Sequence, residues 1–121
     1  MKTALSGDVA MLDRTTREKA AAIPRKILER FSKRIAHVDV HVSHLMPTGS
    51  TLCEVTVRLA DHVQVIARDR NQDALKAITK ALERVRVQVS QSMQRARRRR
   101  SKAAREVELG TLLPSRFFMT G

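Results

Sequence analysis

The strongest constraint on the fold of this chain is a change in the spacing of its apolar residues. Val38, Val40 and Val42 alternate with polar residues, and the same alternation returns over 53–59 and 63–67. A period of two is typical of strands that bury one face. Only residues 60–62 separate the second stretch from the third, which predicts a tight antiparallel hairpin. We therefore expect a sheet with one face covered by other elements.

A segment with helical spacing precedes these strands. We expect it to begin near Thr15, because Glu18 follows three residues later in the capping-box pattern. Its apolar residues recur every three or four positions as far as Ile35. Pro24 lies inside this segment and predicts a kink or a restart, because an interior proline removes a backbone hydrogen bond. A short strand near residues 3–6 is expected before the helix.

The last predicted helix has one apolar face and one cationic face. Asp73 is placed to cap it, and its apolar seam runs from Leu75 to Met93. At 100° per residue, the following basic residues fall within a sector of about 100° opposite that seam: Lys76, Lys80, Arg84, Arg95, Arg98, Lys102 and Arg105. Arginines occupy seam positions after Met93, so we expect the helix to project or fray there.

The charge of the chain favours a polyanionic partner. Its 24 Lys and Arg residues exceed its 12 Asp and Glu residues, which gives a net charge of +12 at pH 7. Aromatic residues make up only 2% of the chain, which disfavours proteins that stack unpaired bases and favours phosphate contacts to a folded RNA. Since the sequence has no long apolar run and no signal-peptide pattern, we expect a cytoplasmic protein that does not bind a membrane.

Residues that could support catalysis or bind a metal are sparse. His37 and His41, with His62 as a third candidate, are expected on the open face of the sheet. The first two would lie about 13 Å apart along one strand, too far to bind the same ion. Cys53 falls on the apolar side of its strand and is expected to be a core residue. We predict no enzyme activity, no metal, no cofactor and no small-molecule substrate.

The chain carries three phrases in the predicted order of elements: KILERFSKRIAHVDVHVS, CEVTVRLADHVQVIARD and QDALKAITKALERVRVQVSQ. From Thr15 to Arg95 it resembles the ribosome hibernation-promoting factor and ribosome-associated inhibitor family. The most specific parts of the resemblance are the Val-Asp-Val strand at 38–40 and Asp73 followed by Ala77 and Ile78.

This resemblance implies an α+β fold, a βαβββα two-layer sandwich with a four-stranded sheet packed on two helices. The last helix is expected to be long, with a basic extension. The resemblance also implies a non-catalytic factor that occupies the mRNA and tRNA channel of the small ribosomal subunit and contacts its ribosomal RNA. Such a factor inhibits translation or promotes hibernation. The short form of the family is implied, because few residues follow Arg105.

The predicted RNA contacts are basic residues of both helices and of the extension. They are Arg25, Lys26, Lys33, Lys76, Lys80, Arg84, Arg95, Arg98, Arg99, Lys102 and Arg105. We divide the chain into an inhibitor-like domain at 1–94 and a basic helix extension with an apolar tail at 95–121. The tail either folds back, stays disordered or contacts a protein partner. Its candidate contact residues are Leu112, Leu113, Phe117 and Phe118.

Two other functions fit the same sequence. A generic structured-RNA-binding protein of the double-stranded-RNA-binding type would also combine an antiparallel sheet, helices on one face and phosphate contacts from a helix end. A regulatory adaptor would act through the apolar tail instead. Sedimentation with the small subunit, with free RNA or with a light protein complex would distinguish the three functions.

Overall fold

The computed structural model describes the backbone of residues 1–112 and the side chains of residues 1–98. The strands are β1 (Lys2–Gly7), β2 (Ile35–Leu45), β3 (Ser50–Leu59) and β4 (Gln64–Asn71), and the helices are α1 (Arg14–Ile27) and α2 (Ala74–Leu112). Short 3-10 turns at Val9–Met11 and Glu29–Phe31 flank α1. The predicted βαβββα order is confirmed, including the short first strand.

The four strands form one mixed sheet in the order β1-β2-β3-β4. β1 pairs parallel to β2, with Lys2 opposite His37, while β2, β3 and β4 are antiparallel neighbours. The parallel pair requires a crossover, which α1 supplies. β1 and β4 are therefore the two edge strands of the sheet.

The core lies between one face of the sheet and the helical layer. The sheet contributes side chains that are at most 1% exposed: Val38, Val40, Val42, Cys53, Val55 and Val57. The helical layer contributes fully buried side chains: Leu28, Ala77, Ile78, Ala81, Leu82, Val85 and Val89. Because side chains of a strand alternate between its two faces, the residues between the buried ones form the open face of the sheet.

The first helix differs from the sequence prediction at both ends. It begins at Arg14, and Asp13 caps it by accepting a 2.7 Å hydrogen bond from the Thr16 amide. Hydrogen bonding from Thr16 lowers the pKa of the Asp13 carboxyl below its usual value. The helix runs through the buried Pro24 and ends at Ile27. The helical spacing of apolar residues continues to Ile35, but the later part of that stretch forms a 3-10 turn and the start of β2.

The end of β1 is fixed by a close approach of two backbone segments. Gly7 has a φ of 87°, and a Cβ at this position would overlap the carbonyl oxygen of Val42. That oxygen accepts a 2.8 Å hydrogen bond from the Asp8 amide. The Asp8 carboxylate in turn accepts a 2.8 Å hydrogen bond from the His44 amide. Only glycine combines this φ with this approach, because any side chain would meet backbone atoms.

The second helix begins as predicted. The Asp73 carboxylate accepts hydrogen bonds from the amides of Leu75 and Lys76, at 2.9 Å and 3.4 Å. The helical backbone continues to Leu112, so of the two alternatives expected after Met93 the helix does not fray, and projection stays a prediction. The chain divides into two compact units, Met1–Val89 and Ser90–Gly121. The predicted boundary between 94 and 95 is a functional division and stays a prediction.

Candidate nucleic-acid interface

One side of α2 presents a row of cations above a buried seam. Lys76 and Lys80 are exposed. Ile78, which lies between them in sequence, and Leu82, which follows, are fully buried. Residues four apart on a helix lie on the same side, about 6 Å apart along its axis. The row Lys76, Lys80 and Arg84 is therefore held on a surface that the core makes rigid.

Arg84 is held more firmly than the two lysines. Its Nη1 donates a 2.7 Å hydrogen bond to the carbonyl oxygen of Arg68, and its Nη2 lies 3.3 Å from Oδ1 of Asp69. Its side chain nevertheless remains 61% exposed. The guanidinium group thus connects α2 to β4 and still presents donors to solvent. This double attachment is not evident from the helical periodicity that predicted Arg84 as an RNA contact.

Asp69 lies on the core side of β4, where the alternation of the strand calls for an apolar residue. It pairs in register with Cys53, which is fully buried. Burial, with smaller contributions from the carboxylates of Asp69 and Glu54, raises the pKa of the Cys53 thiol to about 12. Cys53 therefore stays a protonated core residue, as its position in the alternation predicted.

The end of α1 forms a second cationic region. Arg25 and Lys26 lie exposed in the last turn of the helix. Together with Lys19 and Glu29 they border a surface groove whose lining includes Ile23. Lys33, the third predicted contact in this part of the chain, is exposed in the turn before β2. Lys19 lies nearly two helical turns before Arg25 and Lys26 and was not among the predicted contacts.

The basic extension contributes further predicted contacts. Arg95 and Arg98 are exposed on α2, in the unit that begins at Ser90. Arg99, Lys102 and Arg105 lie on the same helix, but their side chains fall outside the described residues. Of the predicted tail contacts, Leu113, Phe117 and Phe118 lie outside the described backbone, and so does the side chain of Leu112.

The open face of the sheet carries charges of both signs. Arg68 pairs with Glu54 across β3 and β4 at 2.7 Å, and Arg58 and Arg70 are exposed on the same face. These three arginines were not among the predicted contacts, although their alternation with buried residues in β3 and β4 would have indicated their exposure. The positive charge of the open face is thus partly neutralised by Glu54. Among the described ion pairs, the one acidic partner of the α2 row is Asp69.

The histidines do not form a shared cluster. His37 and His41 lie in β2, as expected, and Nδ1 of His41 lies 3.0 Å from the Ser6 hydroxyl. His62 lies instead in the turn between β3 and β4, with a φ of 69°. Within the described residues no group of three or more His, Cys, Asp or Glu side chains could hold a metal ion.

Nothing in the described part of the chain resembles a transmembrane helix. Although α2 is 39 residues long, no described stretch of helix has the length and apolar character needed to cross a bilayer.

Two solved structures share this fold. A ribosomal subunit interface protein from Coxiella burnetii superposes with a TM-score of 0.61 at 15% sequence identity, over 78% of this chain and 99% of that chain. The N-terminal domain of Protein Y from Thermus thermophilus superposes with a TM-score of 0.56 at 20% identity, over 75% of this chain and 98% of that chain. No curated protein sequence matches this chain.

A family model extends the similarity to sequence. Residues 13–97, well over half of the chain, match the model described as sigma 54 modulation protein / S30EA ribosomal protein. The matched region contains α1, the strands β2 to β4 and the cationic row of α2. The resemblance to ribosome hibernation factors is thereby confirmed. We conclude that the chain belongs to the sigma 54 modulation protein / S30EA ribosomal protein family, whose members are ribosome-associated and act in hibernation and translation regulation.

Proposed function

We propose that this protein binds the small ribosomal subunit through its ribosomal RNA and occupies the channel that mRNA and tRNA require. It acts in the cytoplasm as a non-catalytic inhibitor of translation. The observation that carries the proposal is the exposed row Lys76, Lys80 and Arg84 on a helix whose opposite side is fixed in the core.

The character of this row suits a structured RNA. Lysine and arginine bind phosphate oxygens, which fix the position of a protein on RNA without reading its sequence. A rigid row recognises the shape of a folded RNA better than a flexible segment would, because less conformational entropy is lost on binding. The exposed Arg25, Lys26 and Lys33 supply further cations within the same compact unit.

Charge reversal in the row tests the RNA contact. Lys76→Glu combined with Lys80→Glu should weaken binding to purified small subunits by about tenfold or more, because two phosphate contacts become repulsive. The thermal midpoint should change little, since both side chains are exposed. Binding is measured by sedimentation of labelled protein with small subunits, and folding by circular dichroism.

The matched control reverses two cations on the other side of the sheet. Lys2 and Arg58 are exposed, and both are register neighbours of His37 on the open face. Lys2→Glu with Arg58→Glu therefore changes the net charge by the same amount as the α2 variant. If both double variants bind equally weakly, overall charge rather than the α2 row determines affinity, and the proposed contact surface is wrong.

Order of addition tests channel occupancy. In a cell-free translation reaction, protein added before mRNA and initiator tRNA should inhibit strongly. Protein added after both should inhibit much less, because the ligands and the protein would compete for one channel. Equal inhibition in both orders would exclude competition for the channel and would favour action at a remote site or through a protein partner.

A further inference from the structure

The Asp69 carboxylate is an unusual group at its position in the fold. Its side chain is only 10% exposed, on the face of β4 that also carries the buried Val65 and Ala67. One oxygen lies 3.3 Å from Nη2 of Arg84. The other oxygen, Oδ2, is buried without a hydrogen-bond partner among the described residues.

This arrangement is a poor way to stabilise the domain. Transferring a carboxylate from water to a protein interior is costly, and a single ion pair repays that cost only with good geometry and further hydrogen bonds. Here one oxygen has a long contact and the other has none. An apolar residue at this position would fit the alternation of β4 without that cost. Local choices that oppose the fold are expected mainly where a function requires them.

The consequence of the carboxylate is a fixed guanidinium group. Asp69 and the carbonyl oxygen of Arg68 each engage one terminal nitrogen of Arg84. The Nε–H and the remaining N–H groups are left for another acceptor, because an arginine has five donors in a planar fork. The side chain is 61% exposed and lies in the row with Lys76 and Lys80.

We propose that Asp69 is a positioning residue that holds the Arg84 guanidinium ready to bind an RNA phosphate. This inference rests on the RNA contact proposed above. It adds to that contact a residue that does not touch the RNA, because a carboxylate and a phosphate repel each other. Holding the guanidinium before binding reduces the rotamer entropy lost when the phosphate is engaged. The two lysines of the row have no such support among the described ion pairs.

The effect of removing the Asp69 charge has opposite signs under two mechanisms. Asp69→Asn raises the net charge of the chain from +12 to +13. Electrostatics alone would then strengthen RNA binding, since a more cationic protein attracts phosphates more strongly. If Asp69 positions Arg84, the substitution would instead weaken binding by roughly three- to tenfold, because the released arginine must be immobilised on binding.

The experiment is a double-mutant cycle with two probes, purified small ribosomal subunits and a double-stranded RNA hairpin. Asp69→Asn should weaken binding three- to tenfold when Arg84 is present and should not weaken it in an Arg84→Gln background. On the hairpin, Asp69→Asn should leave the slope of log affinity against log salt nearly unchanged, because the released Arg84 still neutralises its phosphate once it is bound, whereas loss of the contact itself would lower the magnitude of the slope by about 0.9. Coupling to Arg84 is the readout that a purely structural role of Asp69 would not produce.

Two further variants complete the test. Glu83→Gln makes the same charge change one residue away on α2, at an exposed side chain, and should leave affinity equal or higher. Arg84→Lys keeps the charge but offers a single ammonium group, so it should bind about as weakly as Asp69→Asn. Neither variant depends on the folding of the Asp69 variant.

Each outcome is decisive. The inference is overturned if Asp69→Asn strengthens binding, leaves it unchanged or weakens it equally in both backgrounds. If the wild-type protein binds the hairpin with the expected coupling but does not bind small subunits, the inference stands and the proposed function fails. If wild-type protein binds subunits without the coupling, the proposed function stands and the inference fails. Binding to neither probe refutes both.

Discussion

Truncation after Gln94 should abolish tight binding to the small subunit while leaving the domain folded. The deletion removes eight basic and two acidic residues and lowers the net charge from +12 to +6. Affinity at physiological salt should fall by about two orders of magnitude or more, and the salt slope should fall by about 0.9 for each duplex phosphate that the protein no longer neutralises. The thermal midpoint should stay nearly constant, because Met1–Val89 forms a compact unit by itself.

A full-length variant separates the charge of the extension from its length. Replacing the seven basic residues of 95–105 with glutamine retains the chain length and removes the cations. If charge carries the affinity, this variant should bind as weakly as the truncated protein. Full affinity of the truncated protein would mean that the compact unit holds every important contact, and would remove the extension from the binding surface.

Gly7→Ala should cause the largest loss of stability among single substitutions outside the hydrophobic core. The new Cβ would overlap the Val42 carbonyl oxygen, and an alanine would have to adopt a φ of 87°. Backbone strain and overpacking, each about 1–3 kcal/mol, should together lower the free energy of unfolding by about 2–6 kcal/mol. The Val42 oxygen cannot move away without losing the hydrogen bond that it accepts from the Asp8 amide. Urea denaturation of both proteins measures the difference.

Gly49→Ala is the matched control for that prediction. Gly49 also has a positive φ, 72°, but no atom lies within 4 Å of a Cβ at this position. Its substitution should cost only the backbone strain, about 1–2 kcal/mol. Similar losses at the two positions would mean that β1 adjusts to the side chain, and that the close approach at Val42 is not rigid.

The elements that sequence predicted correctly are those set by local patterns. The alternation around Val38 and Val55 predicts β2 and β3, and the Asp73 cap with its apolar seam predicts the start of α2. The error at α1 has a clear reason: Ile35 continues the helical period although the chain has already entered β2. A short apolar run fits both periods, and only tertiary pairing with β3 selects the strand.

The candidate site was predictable only in part for the same reason. Exposure of Lys76 and Lys80 follows from helical geometry, since both lie opposite the seam. The attachment of Arg84 to Asp69 joins residues 15 positions apart on different elements, and no periodicity links them. A carboxylate at a core position of β4 is visible in the sequence as a departure from alternation, but its partner becomes evident only in three dimensions.

The hydrogen bond between Arg84 and the Arg68 carbonyl also affects how the sheet meets other chains. β4 is an edge strand, and the free carbonyl and amide groups of an edge can pair with a strand of another molecule. Arg84 occupies one of these carbonyls at 2.7 Å, and the exposed Arg68 and Arg70 add charge along the same strand. A second copy would have to displace Arg84 and bring these cations together. The contact therefore disfavours pairing of β4 with the edge strand of a second copy.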